Sequence, residues 1–423
     1  MKAWAWLLFA ALATSARADD LLQVWAQARA ADPLLRQAAA FSGAQEAASR
    51  EARAALLPQW ALSHSEQRES GGSRWNTTTS TLSQALVDLA ALREWDASRS
   101  LASAQAARLA AAEQATRQRV AEAYFGLLSA EAQLATARAN EEAFARQVSE
   151  ADARFKAGLS AQVEADQSRA YRELARSGTL AAELAVADAR EALSQLTGAI
   201  APALQPLRRD LAAQALLDSA DAWTERAMQA NPELRALQLD LQAGDQRIAA
   251  ARAGHLPTLS VGIDTQRQRG DGVPLSDARR TPTLVALRLT LPLFAGGATA
   301  AASDRASFQR DAAREQLEAG RRAVLREVRG EHMAVGQGGA QLQSALAAVQ
   351  AAERALEATR TGLALGTRST TDLLLAIQTL AAAQNAQTQA RHRHVLALLA
   401  LHRAAGSLGD NELAAVNALL EPH

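Results

Sequence analysis

AADPLLRQ (31–38) returns as QANPELRA (229–236), and ALLPQWALS (55–63) returns as GHLPTLSVG (254–262). Further on, FKAGLSAQVEAD (155–166) returns as LALGTRSTTDLL (363–374). Pro33 aligns with Pro232 and Pro58 with Pro257, both at an offset of 199, whereas Gly158 aligns with Gly366 at 208. The difference falls between Pro257 and Gly366, so the second copy has the longer loop. A repeat of about 200 residues far exceeds the 20–50 of a solenoid unit. The chain is therefore read as a tandem duplication, in which any element found in one half has a counterpart in the other.

Each half reads as helix, β-hairpin, very long helix, break, long helix. Asp32 and Asn231 suit a helix N-cap, with Pro33 and Pro232 at the first helical position. Trp60, Leu62 and His64 alternate with Ala61, Ser63 and Ser65, the period of a strand. WNTTTSTLSQALVD (75–88), rich in β-branched residues, is the returning strand. In the second half Leu259, Val261 and Ile263 alternate with polar or small residues, 268–282 form a polar loop, and Val285, Leu287, Leu289 and Leu291 mark one face of the return. Strands of about 10 residues can cross an outer membrane obliquely. From Leu89 to Lys156 nothing breaks a helix. Val120, Leu127, Leu134, Val148 and Phe155 share one heptad line, while Ala123, Ala130, Ala137 and Phe144 share its companion. A sustained seven-residue repeat means supercoiling against a neighbour. At 1.5 Å per residue such a helix runs roughly 100 Å, so the expected shape is a long rod.

Composition removes whole classes of function. The chain opens with Lys2, an apolar run to about Leu12, and Ala16-Arg17-Ala18, the pattern of an export leader cleaved before Asp19. Subtracting Lys2 and Arg17 from 45 basic residues leaves 43 against 45 acidic, a balance unsuited to nucleic acid. There is no Cys, and Lys occurs only at Lys2 and Lys156, so thiolate metal sites and a P-loop lysine are excluded. His392 and His394 on one helix point apart, and Glu331-His332 lacks a ligand one turn on, so no metal site or cofactor is expected. No catalytic constellation stands out, and an enzyme is not expected. Trp60 and Trp75 suit either a membrane-interface girdle or ordinary strand packing.

Two hairpins give one chain four membrane-length strands, too few to close, and lipid does not tolerate an open sheet edge. Several chains must share one barrel; three give twelve strands around a lumen. The fold class expected is therefore mainly α with a small β part: duplicated long antiparallel coiled-coil helices forming a tunnel, and four membrane strands per chain.

The duplicated halves, LPLFAGG (291–297), the breaks AGLSAQVEAD (157–166) and LGTRSTTDLL (365–374), and SLGDNELAAVNALL (407–420) resemble the TolC family of outer-membrane efflux and secretion channels. The resemblance implies a homotrimer in the outer membrane of a Gram-negative bacterium, with a twelve-stranded barrel and a long periplasmic α-helical tunnel. It implies a passive exit duct of a tripartite efflux pump or type I secretion system. Its partners would be outer-membrane lipid, a periplasmic adaptor (membrane fusion) protein and, indirectly, an inner-membrane ABC or proton-driven transporter. The parts are then a leader at 1–18; a first repeat at 19–210, with its hairpin at about 58–88 and helix break at 158–161; a second at 211–407, with hairpin about 257–293 and break at 366–369; and an equatorial C-terminal segment at 408–423.

Three copies of Asp372 and of Glu164 would form carboxylate rings at one end of the tunnel, a cation-favouring constriction in which like charges raise one another's pKa. By resemblance, Arg368 bonds across to the other repeat at or near Glu164 and holds that end closed. Gly158, Leu159, Gly366 and Thr367 mark the grooves that would receive an adaptor's helical tips. Leu363 and Leu375 depart from the family pattern, where a Tyr and a second acidic ring can stand. From spacing alone, Asp372 is equally a capping-box partner of Ser369, and Arg368 a solvated neighbour of Asp372. Gly158 and Gly366 are first of all helix terminators that need positive φ. The alternative to a channel is a periplasmic coiled-coil adaptor or structural protein without a pore, which would carry one helical hairpin and no duplicated membrane-length strands.

Overall fold

The computed structural model describes residues 18–70, 72–208, 218–270 and 281–422. The leader, apart from Ala18, and positions 271–280 of the polar loop lie outside the described residues. The chain is mainly helical with one small antiparallel sheet, as its repeats and periodicities predict. Helices α1 (Leu21–Ala31) and α2 (Pro33–Ala54) lead into strands β1 (Gln59–Arg68) and β2 (Arg74–Val87), then α3 (Leu89–Lys156) and α4 (Gln162–Thr197). The same order follows in α5 (Ala220–Ala230), α6 (Pro232–Ala253), β3 (Thr258–Gly270), β4 (Thr283–Thr290), α7 (Ala298–Ala364) and α8 (Thr370–Ala404). A short α9 (Asp410–Asn417) comes last. Among the described residues, no helix is long and apolar enough to cross a membrane.

The helix starts are set by their caps. Asn231 accepts from the backbone N–H groups of Glu233 and Leu234, with Pro232 at the first helical position. Asp32 plays the same part for α2, accepting from Leu34 N–H at 3.0 Å. Asp20 and Gln23 close a reciprocal capping box on α1. Leu21, Val24, Trp25 and Ala28 then repeat the i, i+3, i+4, i+7 stripe of a helix with one covered face.

The described residues form two compact units, each drawing on both halves of the sequence. One comprises Gln37–Ala112 and Asn231–Val324 and holds the sheet. Its strand order is β1-β2-β3-β4, all antiparallel, so one hairpin from each half meets at β2–β3, and β1 and β4 are the edges. Directly opposed residues share a face, so the register sorts the side chains. Trp60, Leu82, Ile263 and Val285 form one row across all four strands; Val261 with Leu287, and Leu259 with Leu289, continue it. The opposite face carries the rows Ala61-Thr81-Asp264-Leu284 and Gln59-Ser83-Gly262-Ala286. At the end of the sheet where the helices join, these rows make one face apolar and the other mostly polar or small. Both are open to solvent in the single chain, with Leu62, Leu287 and Leu289 about 70% exposed. Trp60 lies on the apolar face and donates its indole N–H to Ser80 Oγ at 2.9 Å, which suits an interface anchor. Trp75, opposite Gln67 and Gly270, lies on the polar face and cannot serve as its counterpart there.

The other unit gathers the described residues up to Arg36, Glu113–Ala230, and those from Leu325 on. Buried Val328, Val335, Leu342, Val349 and Leu356 recur every seventh residue along α7, a coiled-coil seam. On α3 the heptad line is buried at Val120, Leu127 and Val148, but Phe155 at the helix end is exposed. Arg190 meets Glu131 at 2.9 Å, Arg138 meets Glu183 at 2.8 Å, and Arg169 meets Asp152 at 2.7 Å, linking α4 to α3 along its length. Exposed pairs of this kind contribute little energy, about 0–1 kcal/mol each, and serve mainly to fix register. Tyr124 anchors the segment that pairs with the start of the described chain: its buried hydroxyl donates to Gln205 O at 2.8 Å and accepts from Gln205 N–H at 3.1 Å, and Gln205 N–H also donates to Asp19 O at 3.2 Å. Burial raises its pKa, so the donor is kept.

Candidate functional site at the helix breaks

Both breaks are built alike. At the end of α3, Leu159 N–H reaches back to Arg154 O at 2.9 Å and Gly158 N–H to Phe155 O at 2.9 Å. At the end of α7, Thr367 N–H reaches Gly362 O at 2.8 Å and Gly366 N–H reaches Leu363 O at 3.1 Å. This double back-bond is the Schellman stop, which needs a left-handed residue at its apex. Gly158 and Gly366 supply it, each with φ of 72°. Nothing lies within 4 Å of where a Cβ would sit on either, so the requirement is conformational and not steric. Alanine at either position is expected to cost about 1–2 kcal/mol. In thermal melts followed by circular dichroism each substitution should lower the midpoint, and asparagine should recover part of the loss; a neutral alanine would contradict this.

The return helices start differently. Ser369 caps α8: Asp372 N–H donates to Ser369 Oγ at 3.1 Å, and Ser369 N–H donates to Asp372 Oδ2 at 3.0 Å. The capping-box role of Asp372 is thus realised. The Ser369 backbone and hydroxyl donors, with Arg368 nearby, hold its carboxyl below the usual carboxylate range. That is opposite to the upward shift expected of a ring of like charges, because these donors lie within the chain. The N-cap of α4, Ala161, has no side chain to do this.

Glu164 and the α8 start are brought together, but not through Arg368. Thr370 Oγ1 donates to Glu164 Oε2 at 3.1 Å, and Thr371 Oγ1 to Gln167 Oε1 at 3.1 Å. Two hydroxyls on successive residues therefore tie α8 to Glu164 and Gln167, one turn apart on α4. Inside one chain Thr370 is the residue that reaches Glu164, and among the described residues Arg368 forms no ion pair with it. Arg368 is exposed, its stem lying over Gly362, where an added Cβ would come within 2.6 Å of Arg368 Cγ. Sequence reasoning missed Thr370 and Gly362. The only signal for Thr370 was its place one residue inside the cap.

Beneath these polar links, Leu373, Leu374 and Ile377 of α8 pack with Phe144, Ala175 and Leu356, joining all four long helices of the unit. Leu363 packs against that cluster, whereas Leu375 is exposed. Leu159 and Leu365 at the two breaks are 72% and 74% exposed. His392 and His394 of α8 do point apart and are buried. His392 Nδ1 pairs with Ser129 Oγ beside the Phe125 ring, and burial pushes its pKa down to about 4. His394 packs against Gly338 of α7. Among the described residues no cluster could hold a metal ion.

A family model described as outer membrane efflux protein matches residues 24–199 and 223–407. The chain belongs to the outer membrane efflux protein family. Within the family it is 30% identical over 419 residues to the outer membrane protein TolC of Vibrio cholerae, covering 97% of this chain and 96% of that protein. It is 28% identical to the alkaline protease secretion protein AprF of Pseudomonas aeruginosa, over 86% of this chain and 80% of that one. The solved outer membrane channel CmeC of Campylobacter jejuni has the same fold, with a TM-score of 0.79 at 20% identity, covering 95% and 90% of the two chains. The outer membrane efflux family is one of transport channels and not of enzymes. Its membership makes this chain an outer-membrane channel of a Gram-negative cell with a periplasmic helical extension, an exit path for efflux or type I secretion.

Proposed function

We propose that three copies of this chain close their sheets into one twelve-stranded barrel, and that the helix breaks form the gated periplasmic mouth of the duct. One observation carries this reading: a four-stranded sheet whose faces are chemically opposed toward the helices and whose edges β1 and β4 have no partner among the described residues. In lipid an unpaired edge costs several kcal/mol for each exposed backbone group, so the edges must meet those of other copies. Four strands per chain and an apolar band on one face fit a membrane barrel, while a periplasmic adaptor has no use for either. The matching element order of the two halves supports reading 19–210 and 211–407 as duplicated repeats.

At the mouth, Asp372 and Glu164 supply three anionic groups each per trimer, and Asp372 stays charged because Ser369 donors hold its pKa down. Arg368, exposed and not ion-paired among the described residues, is placed to bond a neighbouring copy and hold the mouth shut. The exposed Leu159 and Leu365 flank Gly158, Gly366 and Thr367 and offer apolar grips to the helical tips of a periplasmic adaptor. Through that adaptor an inner-membrane transporter would supply the work.

Planar-bilayer conductance of the purified trimer tests the gate. Arg368→Ser should raise a small, cation-selective conductance several-fold, and Asp372→Asn should weaken the selectivity. Conductance and selectivity unchanged in both variants would remove these residues from the constriction.

A further inference from the structure

The apolar face of the sheet changes character toward the β1–β2 turn. Beyond the row of Leu62, Ser80, Thr265 and Thr283, the same face carries Arg267 opposite Thr78, Arg269 opposite Asn76, and Arg68 opposite Arg74. Strands lie about 4.8 Å apart and same-face neighbours about 7 Å apart, so four guanidinium groups share a small patch on three adjacent strands. The other titratable groups on this stretch are His64, bonded to Thr78 Oγ1 at 2.9 Å, and Glu66, opposite Asn76. None of the four arginines is ion-paired among the described residues. At the same level the opposite face holds Ser63, Ser65, Thr77, Thr79, Gln266 and Gln268, all uncharged. Positive charge is thus concentrated on the membrane side and kept off the lumen side.

An arginine facing lipid is costly at the midplane and far less so near the interface. Four together fit only the headgroup level. The helices all join the sheet at the other end, so this is the outer leaflet. We propose that Arg68, Arg74, Arg267 and Arg269 form a binding site for the phosphates of an anionic glycolipid of the outer leaflet, with its acyl chains against Leu62, Leu82 and Val285. Guanidinium groups take phosphate oxygens in bidentate pairs, which gives geometry as well as charge. The adjoining apolar rows select an amphiphile over free phosphate. The inference rests on the membrane-barrel reading and adds three equivalent sites to it.

Native mass spectrometry of the detergent-purified trimer tests both. Bis-phosphorylated lipid A is the probe, with monophosphoryl lipid A, phosphatidylglycerol and inorganic phosphate as competitors. The wild type should retain bis-phosphorylated lipid A at least tenfold better than phosphatidylglycerol. Replacing all four arginines with glutamine should abolish that preference, while Arg288→Gln on the lumen face leaves it intact. A four-fold variant that remains trimeric and conducting yet binds lipid A like the wild type overturns the site but not the barrel. Competition by phosphate or phosphatidylglycerol at equal concentration also overturns it. A protein that is neither trimeric nor conducting overturns the barrel reading itself.

Discussion

Replacing Asp32 with alanine is expected to lower stability by about 2–4 kcal/mol, combining a lost helix cap of about 1 kcal/mol with the loss of a charge-assisted network. Asp32 is 2% exposed and serves three partners: the Leu34 N–H that starts α2, Thr116 Oγ1 at 3.3 Å and Arg119 at 2.6 Å. Arg119 also donates to Thr116 at 2.9 Å, so the three side chains form a closed triangle between the α1–α2 junction and α3. Arg119 is partly exposed and regains water when Asp32 is removed, which keeps the loss below that of a fully buried broken pair. Asparagine, which keeps the cap but not the charge, should lose less than alanine. Thermal melts of the single variants and of Asp32→Ala with Arg119→Ala form a double-mutant cycle. Strict additivity, or an alanine midpoint equal to that of the wild type, would remove the triangle as a stabilising unit.

Arginine placed at Leu287 is expected to block assembly in the membrane, whereas arginine at the adjacent Ala286 is expected to be tolerated. Leu287 opposes Val261 on the apolar face, and Ala286 opposes Gly262 on the polar one. A lipid-facing arginine near the midplane costs about 2–4 kcal/mol, and the trimer carries the substitution three times. A lumen-facing arginine keeps its water. The yield of trimer in purified outer membranes reads the difference directly. Equal yields from the two variants would mean that the faces are assigned wrongly, and with them the lipid-facing arginine patch.

Much of this was legible in one dimension, because the forces that set it are local or periodic. Pro33 and Pro232 marked helix starts, since a proline at the first helical position loses no hydrogen bond. Gly158 and Gly366 marked helix stops, since only glycine enters the left-handed region without cost. Alternation at Leu259, Val261 and Ile263 gave a strand with one apolar face, and heptads gave long coiled coils.

Register and partner choice could not be read this way. Which residue of β2 faces Ile263 depends on how two hairpins from opposite halves slide against each other, and a slip of one residue inverts the face. That pairing sent Trp60 and Trp75 to opposite sides of the sheet and gathered four arginines, scattered in sequence, into one patch. It was likewise packing between α4 and α8 that gave Glu164 to Thr370 and left Arg368 exposed. The sequence by itself determined where the chain bends, because backbone sterics act over a few residues. Only the tertiary structure decided which polar groups meet, because a hydrogen bond requires a distance near 3 Å between residues about 200 positions apart.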